Sequence, residues 1–198
     1  MPKQKLIITI SGSPGSGKST VAKKLAQALD AKRIYVGQIR RDLARKKGMT
    51  LEELNEYALT HPETDVDVDN EVAQEAKNLA KDNLVIVEGR TQFHFIPESF
   101  KIYVKVDLNE GAKRIWNQMQ DEAAKNKRNE AIINSFDELV KDIKKRGNND
   151  IQRYKKYYNI DHTDESQYDL IVDTTNITAD EATEIVLNKV NPLTKPNK

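Results

Sequence analysis

Short apolar runs alternate along the chain with longer segments in which apolar residues recur every three or four positions. The short runs predict buried strands, and the longer segments predict amphipathic helices. Strands that alternate with helices favour a parallel sheet covered by helices on both faces, so we predict an α/β fold with five strands. The predicted strands lie at residues 6–10, 34–36, 84–87, 102–106 and 170–172.

Two intervals between these strands, residues 37–82 and 107–160, are longer than a single crossover helix requires. Extra length of this kind predicts a binding lobe or a lid. Capping boxes, in which Glu follows Thr by three residues, predict helix starts at Thr50 and Thr178. Residues 121–130 are almost wholly polar, which predicts a solvated junction.

The length of 198 residues fits one domain, with a Pro- and Lys-rich tail at 191–198 that we predict to be flexible. A net charge of +1 gives no overall attraction to nucleic acid or to a membrane, so anion binding must come from local Arg and Lys side chains. The chain has no cysteine, which excludes disulfides and thiolate metal sites. The N-terminal apolar run is too short for a signal peptide, and we expect a cytoplasmic protein with no obligate protein partner.

A segment rich in glycine and hydroxyl residues, ITISGSPGSGKST, begins in the first predicted strand, and a helical pattern begins directly after it. Gly12, four further residues and then Gly17-Lys18-Ser19 match the phosphate-loop pattern in the context that it needs. We expect Lys18 to reach the β- and γ-phosphates of ATP as a catalytic residue, and Ser19 to hold Mg²⁺. The predicted ATP-binding residues of this loop are Gly12, Ser13, Pro14, Gly15, Ser16, Gly17, Lys18, Ser19 and Thr20.

The phosphate loop alone does not distinguish a pump, a switch GTPase and a small-molecule kinase. The Asn-Lys-x-Asp sequence that reads guanine in switch GTPases does not occur in the chain. A single arginine is most often a surface charge, and Arg40 beside Arg41 fits a charged surface. Several arginines nevertheless stand at predicted element ends, and a guanidinium suits phosphate oxygens. Arg90 follows the third strand and should lie at the carboxyl edge of the sheet, where α/β folds bind ligands.

Further segments make the sequence resemble one family. They are SGSPGSGKSTVAKKLAQAL, VGQIRRDLARKKGMTLEELNEYA, VIVEGR, RYKKYYNID and YDLIVDTTN, in this order. The chain resembles the nucleoside monophosphate kinases, and most closely the archaeal-type cytidylate kinases, over nearly its whole length except about 119–144 and the tail. The resemblance implies a P-loop kinase fold with a five-stranded parallel sheet, a monophosphate-binding lobe at 37–82 and a lid at about 121–155.

For the acceptor, the resemblance implies that Arg41, four positions after Gly37, and Arg90 bind the phosphate of the monophosphate, and Gly37 is a further candidate acceptor-binding residue. The segment DVDVDN at 65–70 is similar to the start of an EF-hand loop but lacks its glycine and its final glutamate. We therefore predict a polar turn beside the acceptor pocket, with Asp69 as a candidate contact to the acceptor base.

For ATP and the transferred group, the resemblance implies that Arg114 lies against the adenine. It also implies that Arg146 and Arg153 are catalytic lid arginines. Four departures from the family bear on acceptor recognition and efficiency. Gln38 stands where Asp is usual, and Gln118 stands where a further arginine is common. The acidic residue that usually comes just after Arg146 is missing, and Asn70-Glu71 stands where basic residues are expected.

A monophosphate has a second pKa near 6, so its attacking oxygen is already largely anionic at neutral pH and needs no general base. Together with the resemblance, this predicts an ATP-dependent kinase for CMP and dCMP, with Mg²⁺ as cofactor and Glu88 contacting the metal through water. AMP or UMP is an alternative acceptor. A nucleoside or other small-molecule hydroxyl is another, with Glu88 as its base. A regulator that binds nucleotide without turnover is the third alternative.

Overall fold

The computed structural model describes residues 5–120 and 133–194. Its strands are β1 (Ile7–Gly12), β2 (Lys32–Tyr35), β3 (Val85–Glu88), β4 (Phe100–Lys105) and β5 (Leu170–Asp173). They form one sheet in the order β2-β3-β1-β4-β5, and every neighbouring pair is parallel. The predicted five-stranded parallel sheet is therefore confirmed.

Helices connect the strands and cover both faces of the sheet. In chain order they are α1 (Lys18–Ala28), α2 (Val36–Lys46), α3 (Leu51–Tyr57), α4 (Glu63–Leu79), the short α5 (Gln92–Phe95), α6 (Leu108–Met119), α7 (Phe136–Tyr158) and α8 (Ala179–Thr194). A 3₁₀ turn at Glu165–Gln167 precedes β5. Within the described ranges, no helix has both the length and the apolar character that crossing a membrane requires.

The two central strands, β1 and β3, are buried at every position because helices pack on both of their faces. On one face, Ile8 packs with Leu25 of α1 and with apolar residues of α8. On the opposite face, Ile7 packs with Ala76 of α4. The parallel register places Glu88 opposite Ile10, so the carboxyl ends of β1 and β3 lie side by side where the phosphate loop begins.

Several helix starts follow from side-chain caps. Thr50 Oγ1 accepts from the backbone N of Glu53 at 3.2 Å, and Thr50 N donates to the Glu53 carboxylate at 2.7 Å. The same reciprocal pair joins Thr178 and Glu181, so both predicted capping boxes are confirmed. Ser135 caps α7 in a similar way through its hydroxyl.

The described part of the predicted lid consists mainly of one long helix, α7, while residues 121–132 lie outside the described residues. Gly147, within the predicted lid at about 121–155, lies inside this helix. The helix is continuous there because it is held on both sides of the glycine. Leu139 packs against α6 in its first half, and Arg153 is buried in its second half.

Two further boundaries differ from the sequence-based expectations. The DVDVDN segment lies inside α4, so the predicted polar turn is wrong. Asp65 and Asp69 are one helical turn apart on the same buried face, where they have polar partners. At the other end of the chain, α8 continues to Thr194, three residues past the expected start of the tail at 191, and residues 195–198 lie outside the described residues.

Candidate active site

The phosphate loop leaves β1 and enters α1 at the carboxyl edge of the sheet. Ser13 N donates to the carbonyl of Val104 in β4 at 3.0 Å, which ties the loop to the neighbouring strand. Gly12 has a φ of +154°, and a Cβ on it would lie 2.1 Å from that same carbonyl oxygen. Only glycine fits this approach. The loop thus places its backbone N–H groups and the positive end of α1 where a phosphate binds.

The loop is also held from the side by α6 and by the residues after β5. A Cβ on Gly15 would lie 2.2 Å from the carbonyl oxygen of Gly111 in α6, and a Cβ on Gly111 would lie 2.6 Å from the carbonyl oxygen of Pro14. Thr174 donates its hydroxyl to the carbonyl of Ser16 at 2.9 Å. The sequence patterns did not single out Gly111, because it lies inside an ordinary helical segment.

We expect Gly111→Ala to raise the KM for ATP by about tenfold and to change the acceptor KM much less. The added methyl group must displace the backbone at Pro14, and such overpacking costs about 1–3 kcal/mol. Steady-state kinetics with varied ATP measures this effect. Gly147→Ala is the matched control, since a Cβ there meets nothing within 4 Å. An unchanged ATP KM in Gly111→Ala would show that ATP binding does not depend on this contact.

Glu88, at the end of β3, is fully buried beneath the loop and accepts from three side chains. Lys18 Nζ lies 3.1 Å from Oε1, which also accepts from the Ser19 hydroxyl, while Arg33 pairs with Oε2. Burial acts to raise the pKa of Glu88, but the three donors outweigh it and hold the pKa below its usual value. Glu88 is therefore an ionised carboxylate and a weak base, next to the hydroxyl predicted to hold Mg²⁺.

A cavity of about 600 Å³ lies above the phosphate loop. Arg114 lies at its wall and is fixed there by the carbonyl of Thr174 at 2.7 Å and the carboxylate of Glu110 at 3.2 Å. Gln118, which stands where the family often has arginine, lines the same cavity. We call this the donor cavity, because it brings together the predicted ATP-binding residues Gly12, Ser13, Pro14, Gly15, Ser16, Gly17, Lys18, Ser19, Thr20 and Arg114.

A second cavity, of about 130 Å³, is bordered by α2, α4, α7 and the end of β3, and we call it the acceptor cavity. Its lining contains six basic side chains and three carboxylates. The excess of positive charge suits a phosphate dianion. The structure here brings together the residues predicted for the acceptor and the lid, namely Gly37, Arg41, Asp69, Arg90, Arg146 and Arg153.

Arg41 lies at the side of this cavity nearest Tyr35. Its guanidinium carbon is 5.0 Å from the centre of the Tyr35 ring, and its Nη2 donates to Gln38 Oε1 at 3.3 Å. Burial acts to raise the pKa of Tyr35, but the hydrogen bond and charge of Arg41 lead the effects that bring it below the usual value. By accepting the hydrogen bond from Arg41, Gln38 orients the guanidinium. Gln38 stands at the position where the family usually has Asp.

Three arginines of the acceptor cavity are joined by carboxylates from two helices. Arg90 pairs with Asp150 of α7. Arg153, only 1% exposed, contacts Asp150 at 2.7 Å and Asp65 of α4 at 2.6 Å, and Asp65 also pairs with Arg40. Arg153 is thus engaged in ion pairs between helices α7 and α4. Its catalytic role stays a prediction.

The cations of this network also act on one another. Burial, followed by the nearby charge of Arg146, lowers the pKa of Arg90 to about 10. Arg90 remains protonated at neutral pH, in a place where like charges destabilise its cationic form. A bound phosphate would relieve that repulsion, which fits the predicted role of Arg90 in holding the acceptor.

Asp69 lines the acceptor cavity and is 5% exposed. Its carboxylate accepts from Thr91 Oγ1 at 2.9 Å, from Gln92 Nε2 at 2.8 Å and from Tyr158 Oη at 2.9 Å. Burial raises the pKa of Asp69 to about 6, in part because these neutral donors compensate only partly for lost hydration. Tyr158 of α7 is therefore one of the side chains that hold this carboxylate in place.

Several residues of the site were not predicted from the sequence, and for two of them a signal was present. Arg40 follows buried Val36 and precedes buried Ala44 by four residues each, so it lies on the buried face of α2. Asp150 follows buried Ile143 by seven residues, on the same face of α7. We expected Arg40 to be a surface charge, and the periodicity of the helix shows why it is not.

Comparison with known proteins gives consistent matches. A family model described as an AAA domain matches residues 8–134. A cytidylate kinase from Pyrococcus horikoshii is 37% identical over 88% of this chain and 82% of its own length. A cytidylate kinase from Methanocella arvoryzae is 35% identical over 96% of this chain and 99% of its own.

A comparison of structures supports the fold independently. The crystal structure of shikimate kinase from Bacteroides thetaiotaomicron has a TM-score of 0.57, with 94% of this chain and 98% of that chain covered. The sequence identity is 16%, so this likeness shows the fold alone. The predicted P-loop kinase fold is confirmed.

Proposed function

The chain belongs to the cytidylate kinase family, and we propose on this premise that it transfers the γ-phosphoryl group of ATP to CMP or dCMP. The products are ADP and CDP or dCDP. One observation supports the proposal best: the donor and acceptor cavities share Lys18, Tyr35 and Arg90. A shared wall of this kind brings the γ-phosphate of one nucleotide against the phosphate of the other, which is the arrangement that transfer requires.

The state of Glu88 favours a monophosphate over a hydroxyl acceptor. A hydroxyl needs a base to remove its proton, whereas the monophosphate oxygen is already anionic. Lys18, Ser19 and Arg33 hold Glu88 ionised with a lowered pKa, which makes it a poor proton acceptor. We therefore assign Glu88 to orienting the loop and the water molecules of a metal, and not to general base catalysis.

The side chains beside the phosphate loop fit a magnesium ion bound with ATP. Mg²⁺ prefers hard oxygen ligands and keeps several waters. The Ser19 hydroxyl is the protein ligand in this proposal, and the buried Glu88 carboxylate beside it would hold metal-bound water. When bound, the ion neutralises charge on the β- and γ-phosphates.

The basic side chains divide between the two nucleotides. Lys18 neutralises the transferred phosphoryl group, Arg114 lies against the adenine, and Arg41 holds the acceptor phosphate beside Gly37 at the start of α2. Arg90 lines both cavities and contacts phosphates from either side. Arg146 and Arg153 from α7 complete the charge around the acceptor, as the proposed lid arginines.

A coupled assay of ADP release with CMP, dCMP, UMP, AMP, GMP and nucleosides tests the proposal. CMP and dCMP should give the highest kcat/KM values. Turnover of nucleosides alone would replace the proposal with a hydroxyl kinase. Absence of turnover with any acceptor, while ATP binds, would replace it with a nucleotide-binding regulator. A cytoplasmic location without an obligate protein partner remains part of the proposal.

A further inference from the structure

The lining of the acceptor cavity differs between the end next to the donor cavity and the rest. The residues that it shares with the donor cavity, among them Lys18 and Arg90, mark the end where the phosphates meet. Asn55, Asp65, Asp69 and Thr91 line the acceptor cavity but not the donor cavity. Arg41 and three further arginines also line only the acceptor cavity. We expect a monophosphate whose phosphate lies at the shared end, between Arg90 and Arg41, to extend its base toward the four polar residues.

The carboxylates of the two aspartates in this region differ in their capacity to accept a hydrogen bond from a ligand. Asp65 is paired with Arg40 and Arg153, and both of its oxygens are engaged by cations. Asp69 forms no salt bridge with any residue that the structure describes. Its partners Thr91, Gln92 and Tyr158 are neutral donors.

The Asp69 carboxylate still has one acceptor position. An ionised carboxylate offers about four lone-pair positions. Oδ2 accepts from Thr91 and Tyr158, and Oδ1 accepts from Gln92. No other donor among residues 5–120 and 133–194 reaches the carboxylate, so the remaining position is on Oδ1. The three donors also fix the orientation of the carboxylate, so a ligand meets an acceptor that is already in place.

We propose that Asp69 is the specificity-determining residue for the acceptor base, accepting a hydrogen bond from the exocyclic amine of cytosine and disfavouring the carbonyl of uracil. The inference rests on the proposed function, because it assumes that a nucleoside monophosphate occupies the acceptor cavity.

The chemistry of the two bases explains the discrimination. Cytosine presents an amine, a donor, at the position where uracil presents a carbonyl oxygen, an acceptor. A buried carboxylate attracts the amine of cytosine and repels the carbonyl of uracil. The uracil carbonyl would also lose its hydrogen bond to water on entering the cavity. Adenine carries an amine too, so Asp69 separates amino bases from oxo bases and does not separate pyrimidines from purines.

The variant Asp69→Asn tests the proposal with almost no change in shape. The amide oxygen can still accept from Thr91 and Tyr158, and a turned Gln92 amide can accept from its NH₂ group, whose second hydrogen replaces the open acceptor position with a donor. The ratio of kcat/KM for CMP to that for UMP should fall about tenfold or more, measured at about pH 8 where the carboxylate of the unaltered chain is ionised. Tyr158→Phe is the matched control. It removes one donor to Asp69 and keeps the carboxylate, so the preference for CMP should persist.

A substrate-side measurement does not depend on how the variant folds. The monophosphate of pyrimidin-2-one riboside lacks the amine of CMP but is otherwise similar. With the unaltered chain its kcat/KM should be about tenfold or more below that of CMP, and with Asp69→Asn this penalty should shrink, as in a double-mutant cycle.

Three results would overturn the inference. They are an equal CMP/UMP ratio in the unaltered chain and Asp69→Asn, an equal loss of the ratio in Tyr158→Phe, and no penalty for the amine-free analogue. Each of these leaves phosphoryl transfer to monophosphates intact. Failure of the unaltered chain to phosphorylate any monophosphate would overturn both the inference and the proposed function.

Discussion

Lys18→Ala should lower kcat by about 10² to 10³-fold with CMP as acceptor, while the fold stays intact. The Lys18 ammonium lies between the two cavities, where negative charge gathers during transfer. Loss of one such preorganised donor typically costs this much in rate. The fold should persist because Glu88, the buried partner of Lys18, keeps its contacts with Arg33 and Ser19. Steady-state and single-turnover kinetics separate the chemical step from binding.

The control for this experiment is Lys23→Ala, an exposed lysine in the same helix α1. It should leave kcat unchanged. Circular dichroism and thermal unfolding of both variants check that the fold is retained. If Lys18→Ala kept more than about a tenth of the activity, Lys18 would have no contact with the phosphoryl group in the transition state.

Arg90→Ala should lower kcat/KM for CMP by about 10²-fold, and Arg41→Ala by about tenfold, mainly through a higher acceptor KM. A charge-assisted hydrogen bond to phosphate is worth about 1.5–3 kcal/mol, which corresponds to this range. The larger effect belongs to Arg90, because it lies among other cations and lines both cavities. Kinetics with varied CMP at saturating ATP measures the change.

Arg45→Ala is the matched control, since Arg45 is exposed near the end of the helix that carries Arg41. It should leave the acceptor KM unchanged. Arg90→Lys separates charge from geometry, because lysine keeps the positive charge but lacks the planar fork. An acceptor KM that is unaffected in both Arg90→Ala and Arg41→Ala would remove these residues from the acceptor site.

The sequence predicted those parts of the site that lie within one contiguous segment. The phosphate loop follows a buried strand, and Arg90 follows another, so the parallel sheet brings them together at one edge. Strand periodicity predicts this placement, because ligands bind at the carboxyl ends of parallel strands. The cap at Thr50 was equally local.

The rest of the site depends on pairings between distant helices. Asp65 looked like part of a polar turn, because the sequence does not show that Arg40 and Arg153 supply its counter-charges from α2 and α7. Asp150 pairs with Arg90, sixty residues away in the chain. A local pattern marks a charged residue as exposed unless its partner is known, and these partners come from tertiary structure.

The long helix α7 has one more consequence, for the way the two nucleotides influence each other. Its first half packs on α6, which carries Arg114. Side chains of its second half donate hydrogen bonds to backbone carbonyls in the predicted monophosphate-binding lobe at 37–82. Tyr157 donates to the carbonyl of Ala58 at 2.6 Å, and Lys156 to that of Leu59 at 3.0 Å. A single continuous helix thus connects the walls of both cavities. If it shifts when one nucleotide binds, linkage requires reciprocity: ATP alters the affinity for the acceptor by the same factor as the acceptor alters the affinity for ATP.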